Sequence, residues 1–478
     1  MGPWTLPRPA PDGTMEGPAR SFGGPPKPLI LLHDAAASRC GGSSSEALHH
    51  RPYLLSGPGD PTVIVVVGGG ISGLALGREL ATRGADFVVL EADERVGGVI
   101  RSGWVDGHLL DWGPQRTRLT RGMAELIEQL GLSAQLVLAH PGRDLFVYRG
   151  GRLRRVPFTI GDFLTSDIVS AAAKVRLALE PFTGGPDPEE SVARYFTRKA
   201  GREVYETLVG PLYGGLYGSD PADMVVGLSL QHVLREFGVG RSLVMKLLRA
   251  GGRIAPPTAC SFEDGMETLP ASLAASLGTR VRTGTAVRAL LRGGAGWLVE
   301  TATETLAASA VVLTVPAPVA ARLMQPLSQE VAQRLSRLRY NPLSVVHLHA
   351  ETELSGLGFQ VSLAEPLALR GVTFNDSLFG RTNVYTVYLG GGSRPDVVTR
   401  DDDALARLAV EEFRVCTGYE SRPLAVAREE MPAWDRSWAA LDGLCLPPGL
   451  HVTANWESRP GIPGRLARAR ALAAELTG

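Results

Sequence analysis

Val63-Ile64-Val65-Val66-Val67-Gly68-Gly69-Gly70-Ile71-Ser72-Gly73 runs from a continuous β-branched stretch straight into a glycine turn. Such a run suits a parallel strand buried on both faces. Good helix formers follow from Leu74 through Arg83, and Phe87-Val88-Val89-Leu90 supplies the next strand, so the stretch reads as one βαβ unit.

The glycines stand in the order G-x-G-x-x-G, directly after a strand and before a helix, which is the context that makes this pattern informative. Gly68 permits the tight turn, Gly70 lets the backbone approach a pyrophosphate, and Gly73 allows helix and strand to pack closely. Ile71 and Ser72 open the helix, whose unpaired N–H groups and dipole favour an anion. Glu91, with Ala92 after it, closes the second strand where a carboxylate accepts hydrogen bonds from a ribose diol and repels a 2′-phosphate. NAD and FAD share this half of the pattern. Glu94-Arg95-Val96-Gly97-Gly98-Val99-Ile100-Arg101-Ser102 favours flavin, because the pair Gly97-Gly98 behind Arg95 can bring more backbone and a cation to the same pyrophosphate. The plainer alternative is a glycine turn with a surface arginine.

Working outward, 478 residues are too many for one ordinary core, which predicts two domains, consecutive or interleaved. Lys plus Arg equals Asp plus Glu at 49 each, so no global field selects nucleic acid or a polybasic membrane anchor. Cys40, Cys260, Cys416 and Cys445 are far apart and form no C-x-x-C pair, which argues against a disulfide framework, zinc ribbon or iron–sulfur cluster and fits a reducing cytoplasm. No apolar run reaches the roughly 18 residues that span a bilayer.

Residues 1–60 are crowded with Pro, Gly, Ser and Arg and read as a disordered extension. From about Arg152 to Arg253 the chain reads mainly helical, with candidate helices at Ile168 to Leu179, Ser191 to Lys199 and Glu203 to Leu208. Short strands return at Arg280 to Thr283, Trp297 to Thr301 and Ala310 to Val315, then near Leu343 to His349 and Asn383 to Leu389. The chain leaves a sheet domain and re-enters it.

Val67 to Leu74, Glu94 to Ser102 and Asp111-Trp112-Gly113-Pro114 resemble the start of the protoporphyrinogen/coproporphyrinogen oxidase family, within the wider flavin amine oxidases. Pro211-Leu212-Tyr213-Gly214-Gly215-Leu216-Tyr217-Gly218, Phe262 to Pro270 and Val311 to Pro318 are similar to later parts of that family. The resemblance implies an α/β fold: an FAD-binding Rossmann-like domain in three pieces (61–146, 256–330, 431–478) with an α+β substrate domain of mixed sheet and helices inserted twice (147–255, 331–430). It also implies contacts to FAD from Gly113, Pro114 and, at the adenine, the backbone of Val287. Two departures stand out. Animal members carry an arginine directly after the Gly-Pro, where this chain has Gln115, and Arg116 or Arg118 is the candidate replacement for meeting a propionate. The closing segment reads Asn455-Trp456-Glu457-Ser458-Arg459-Pro460-Gly461-Ile462-Pro463-Gly464 instead of a tyrosine and a glycine; Trp456, Gly461 and Ile462 are then the flavin-ring contacts, with the helix start facing flavin O2.

The resemblance further implies oxidation of a porphyrinogen, in haem biosynthesis, by three hydride transfers to flavin, with O2 reduced to H2O2. No protein nucleophile is needed, and no catalytic side chain is assigned. Arg116, Arg118, Phe374 and Tyr388 are candidates for a pocket of aromatic walls and cations; the alternatives are solvated arginines and core aromatics. His347 and His349 share a strand face, but no third ligand supports a metal. Leu243 to Arg249 reads as a buried or dimer-facing helix or one lying on a membrane surface. Candidate partners are thus the porphyrinogen, O2, a peripheral membrane, a haem-pathway enzyme or a second copy of the chain, with no nucleic acid. The competing functions are another flavin oxidase, acting on amines or polyenes, and a non-catalytic FAD-binding interaction protein.

Overall fold

The computed structural model describes residues 63–140, 143–249, 251, 258–294, 296–458 and 460–478, so the amino-terminal extension lies outside the described residues. Ile64–Val67 is the central strand of a five-stranded sheet ordered Val281–Arg282, Phe87–Leu90, Ile64–Val67, Ala310–Leu313, Leu450–Val452, with every neighbour parallel. Its alternate residues go to two different cores. Ile64 and Val66 pack with Leu74, Leu269, Leu273 and Leu472, which come from the helices Ile71–Thr82, Thr268–Leu277 and Ile462–Thr477. Val65 and Val67 pack with Leu290, Trp297 and Val299 of an antiparallel ribbon on the opposite face. Both faces being dry is the physical reason the strand is β-branched throughout.

The intervening chain builds a second sheet of seven strands, ordered Arg422–Pro432, Tyr340–His349, Val384–Gly390, Leu369–Phe374, Gly358–Val361, Leu145–Arg149, Arg152–Arg155. Its pairs are antiparallel except Gly358–Val361 with Leu145–Arg149. One face packs on Leu405, Ala409 and Phe413 of the helix Asp402–Thr417; the other faces a cavity shared with the parallel sheet. The fold is therefore α/β, a Rossmann-like dinucleotide domain carrying an inserted domain of mixed sheet and helices.

The middle predicted to be mainly helical is corrected at its start: Arg152–Arg155 is an edge strand paired with Leu145–Arg149. Its arginines reach Asp167 and Asp144 instead of forming a helix face. The helix expected from Ile168 begins at Ala171, because the Ser170 hydroxyl accepts from Ala173 N–H and caps it there. Lys199 and Glu180 form a buried ion pair at 2.7 Å, and Glu180 also accepts from Leu243 N–H, fixing the start of the helix Leu243–Arg249. That helix buries none of its residues: Leu243, Met245 and Leu248 are exposed. Among the described residues no helix is long and apolar enough to cross a membrane.

Candidate active site

The glycine turn builds an anion cradle from backbone alone. A Cβ on Gly73 would lie 2.0 Å from the Gly68 carbonyl oxygen, so only glycine lets the helix sit this close to the strand. Gly70 caps the helix Ile71–Thr82 without a side-chain hydrogen bond, and a Cβ on it would meet nothing within 4 Å. The first-turn N–H groups at Ile71 and Ser72 have no intrahelical acceptor and open onto the cavity. The second glycine pair lies directly against the first: Gly97 N–H donates to Gly69 O at 2.9 Å, and Gly97 and Gly98 have φ of +103° and +60°. Glu91 accepts from Gly69 N–H at 2.6 Å and from Asp93 N–H at 3.0 Å, which holds its carboxylate at the cavity edge beside Ala92 and Val287. Among the described residues no hydrogen bond takes up the Val287 backbone.

Arg95 does not join this cradle. Its guanidinium turns back to the carbonyls of Val96 (3.1 Å), Ile100 (3.3 Å) and Gly98, with Glu267 at 3.9 Å, and it lies outside the main cavity. The loop's own carbonyls hold the guanidinium, so Arg95 shapes the glycine pair. Arg78, seven residues after Ile71 and hence on the same helix face, does border the cavity, and its Nε is buried without a partner. That spacing was the signal the sequence reading passed over.

At the far end Gly113, Pro114, Gly461 and Ile462 line the cavity, but Trp456 does not. The Trp456 ring is wholly buried in the core, with Nε1 donating to Val315 O at 3.0 Å and its carbonyl accepting from Trp438 Nε1 at 2.9 Å. Its neighbour Asn455 is the residue that reaches the cavity, held by the Tyr340 hydroxyl at 3.0 Å. The departing segment is tied down from beneath by Arg465, which donates to Ala454 O, Ser458 O and Asn455 O; burial lowers its pKa to about 10.

On the substrate-domain wall Arg116, Arg118 and Tyr388 all face the cavity. Arg116 presents surface to open space, yet protein surrounds it closely enough that desolvation holds its guanidinium below the ordinary value, so the space it meets is the cavity. Burial raises the Tyr388 phenol, partly offset by Thr373, 3.5 Å from its hydroxyl, and by Arg116. Phe374 is corrected to a core residue. It packs edge-on to Phe359 and Tyr385 on the opposite face of the sheet, while Thr373 takes the cavity position. Gln115 is committed to protein: its carbonyl accepts from Asn375 (2.8 Å) and Thr386 (3.1 Å), and its amide donates to Asp111 O. His347 is buried against Thr386, and among the described residues no group of three His, Cys, Asp or Glu side chains could hold a metal.

The cavity is continuous from the glycine cradle to Arg116 and Tyr388 and measures about 2840 Å³. That exceeds the few hundred to about 1,000 Å³ of a single small-ligand pocket. Fold and site together define a dinucleotide-dependent oxidoreductase with room for a second, large ligand against the inserted domain.

The chain belongs to the flavin containing amine oxidoreductase family, whose sequence model matches residues 71–440. A chloroplastic protoporphyrinogen oxidase 1 of Spinacia oleracea is 29% identical over 73% of this chain and 70% of its own length. A coproporphyrinogen III oxidase of Mycobacterium leprae is 28% identical over 84% and 96%. Among solved structures, a provisionally named protoporphyrinogen oxidase of Exiguobacterium superposes with TM-score 0.74 at 21% identity, covering 87% of this chain and 98% of that one. A cyclohexylamine oxidase of Brevibacterium oxydans shares the fold with TM-score 0.63 at 16% identity, covering 87% and 99%. The cofactor is FAD: the family supplies the flavin, and the βαβ glycine cradle is built for a dinucleotide.

Proposed function

We propose that this protein oxidises a porphyrinogen, coproporphyrinogen III or protoporphyrinogen IX, to the corresponding porphyrin. The observation that carries the reading is the single cavity joining the dinucleotide cradle to a wall that carries Arg116 and Tyr388. Relatives named for both porphyrinogens support it. In this reading the backbone at Gly68, Gly70, Ile71, Ser72, Gly97 and Gly98 holds the FAD diphosphate. Glu91, Ala92 and Val287 meet the adenosine, and Gly113, Pro114, Gly461 and Ile462 border the ring.

Bound FAD supplies a two-electron acceptor, and three rounds convert one porphyrinogen and three O2 into one porphyrin and three H2O2. The protein's own part is positioning. Arg116 pairs a propionate in a desolvated site, where a charge-assisted bond is strong and directional. Leu343, Val345 and Leu357 give the macrocycle an apolar wall. No side chain is asked to act as a nucleophile.

The test is anaerobic mixing of holoenzyme with coproporphyrinogen III, protoporphyrinogen IX, putrescine or phytoene while following the yellow flavin absorbance. Bleaching by a porphyrinogen alone is expected. Flavin that stays oxidised with both porphyrinogens overturns the reading, and bleaching by putrescine redirects it to amine oxidation.

A further inference from the structure

The strand Leu369–Phe374 breaks its own alternation. Val372 and Phe374 point into the core, and Gly371 and Thr373 border the cavity, so a period of two would send Arg370 into the core beside Val372. Instead the register against Val384–Gly390 slips: Leu369 lies opposite Leu389, Gly371 lies opposite Tyr388, and Arg370 has no opposite residue on that strand. A bulge of this kind re-aims one side chain. Arg370 thereby borders the cavity while Leu369 returns to the core. Its neighbour Gly371 leaves room for the Gln360 carboxamide, since a Cβ there would lie 2.7 Å from Gln360 Nε2.

Arg370 is half-buried, and among the described residues its side chain makes no hydrogen bond or ion pair. Desolvation lowers its pKa and Arg394 adds repulsion, while Asp220 and Tyr205 pull the other way without pairing directly. The Asp220 carboxylate accepts from Ala222 N–H at 2.8 Å. A desolvated guanidinium with unused donors is costly to fold in, and its planar fork matches a carboxylate. The cost is offset when a ligand supplies that anion.

We propose that Arg370 is a second carboxylate-binding residue of the cavity, holding one acidic arm of the substrate while Arg116, beside Tyr388, holds another. The site would then select macrocycles with at least two carboxylates. This deepens the porphyrinogen reading and rests on it.

The experiment uses the FAD-loaded full chain as wild type, Arg370→Met and Arg370→Lys. KM and kcat are measured with coproporphyrinogen III, and Kd for coproporphyrin and its tetramethyl ester by fluorescence. Arg370→Met should raise KM and the coproporphyrin Kd by about tenfold or more, with kcat changed less than about threefold and flavin content unchanged. Arg370→Lys should recover part of the affinity, and the ester should bind wild type and Arg370→Met alike. An unchanged coproporphyrin Kd in Arg370→Met, or an equal loss with the ester, overturns the assignment while leaving the porphyrinogen reading standing. A wild-type protein that neither oxidises nor binds any porphyrin overturns the porphyrinogen reading and this inference together.

Discussion

Asp111 and Arg381, separated by 270 residues, meet in a buried ion pair that joins the dinucleotide domain to the inserted sheet. Asp111 also accepts from Ser102 Oγ and, at 2.9 Å, from Met266 N–H, while Arg381 donates to Ser261 Oγ at 3.0 Å. One carboxylate thus ties its own hairpin to two distant parts of the chain. Removing one member of such a pair strands the other charge in a dry site. Asp111→Asn should therefore cost about 3–5 kcal/mol, read as a lower urea midpoint. A midpoint equal to wild type would show that the pair adds nothing to the domain junction.

The glycine cradle makes two separable predictions. Gly73→Ala has no space, with a carbonyl oxygen 2.0 Å from the new carbon, and should displace the helix and weaken FAD retention by about tenfold or more. Gly70→Asp has room to fold, yet sets a carboxylate where a diphosphate must sit, so a stable but colourless protein is expected. Flavin absorbance per protein after desalting distinguishes the two, alongside the melting temperature. Full flavin content in Gly70→Asp would refute the cradle.

His347 links stability to pH. Burial, reinforced by Arg381, lowers its pKa from 6.5 to about 4, so the unfolded chain binds the proton more tightly than the folded one. The contribution is complete above the unfolded value of 6.5 and is lost as pH falls from there toward 4, amounting at most to about 3 kcal/mol. Urea midpoints measured across that window should fall with acid in wild type and flatten in His347→Gln. Parallel curves for the two proteins would remove His347 from the account.

Arg116 and Arg118 should behave differently despite lying two residues apart. Arg116 is desolvated inside the cavity, whereas Arg118 stands at an exposed position of the strand Thr117–Arg118. Arg116→Met is expected to raise KM for a carboxylated porphyrinogen by about tenfold or more, and Arg118→Met to change it by less than about threefold. Equal effects would mean that the anion reaches both.

The dinucleotide half of the site was legible because its chemistry is local. Strand, turn and helix occupy Ile64–Thr82, and the roles of Gly68, Gly70, Gly73 and Glu91 follow from backbone geometry over a few residues. Trp456 and Phe374 turn away from the cavity for a shared reason. Each has a side chain that can turn either way, and the choice fell to neighbours outside its own segment: Val315 and Trp438 for Trp456, Phe359 and Tyr385 for Phe374.

Sequence by itself determined that this chain binds a dinucleotide, because close approach and free N–H groups demand glycine at fixed spacing. It also determined that the first strand is buried on both sides, because only a dry sheet tolerates five consecutive β-branched residues. Tertiary structure alone decided that Arg370 enters the cavity. A one-residue slip of register reverses which face a side chain meets, and that slip at Arg370 is set by the pairing of two strands and by no residue read alone.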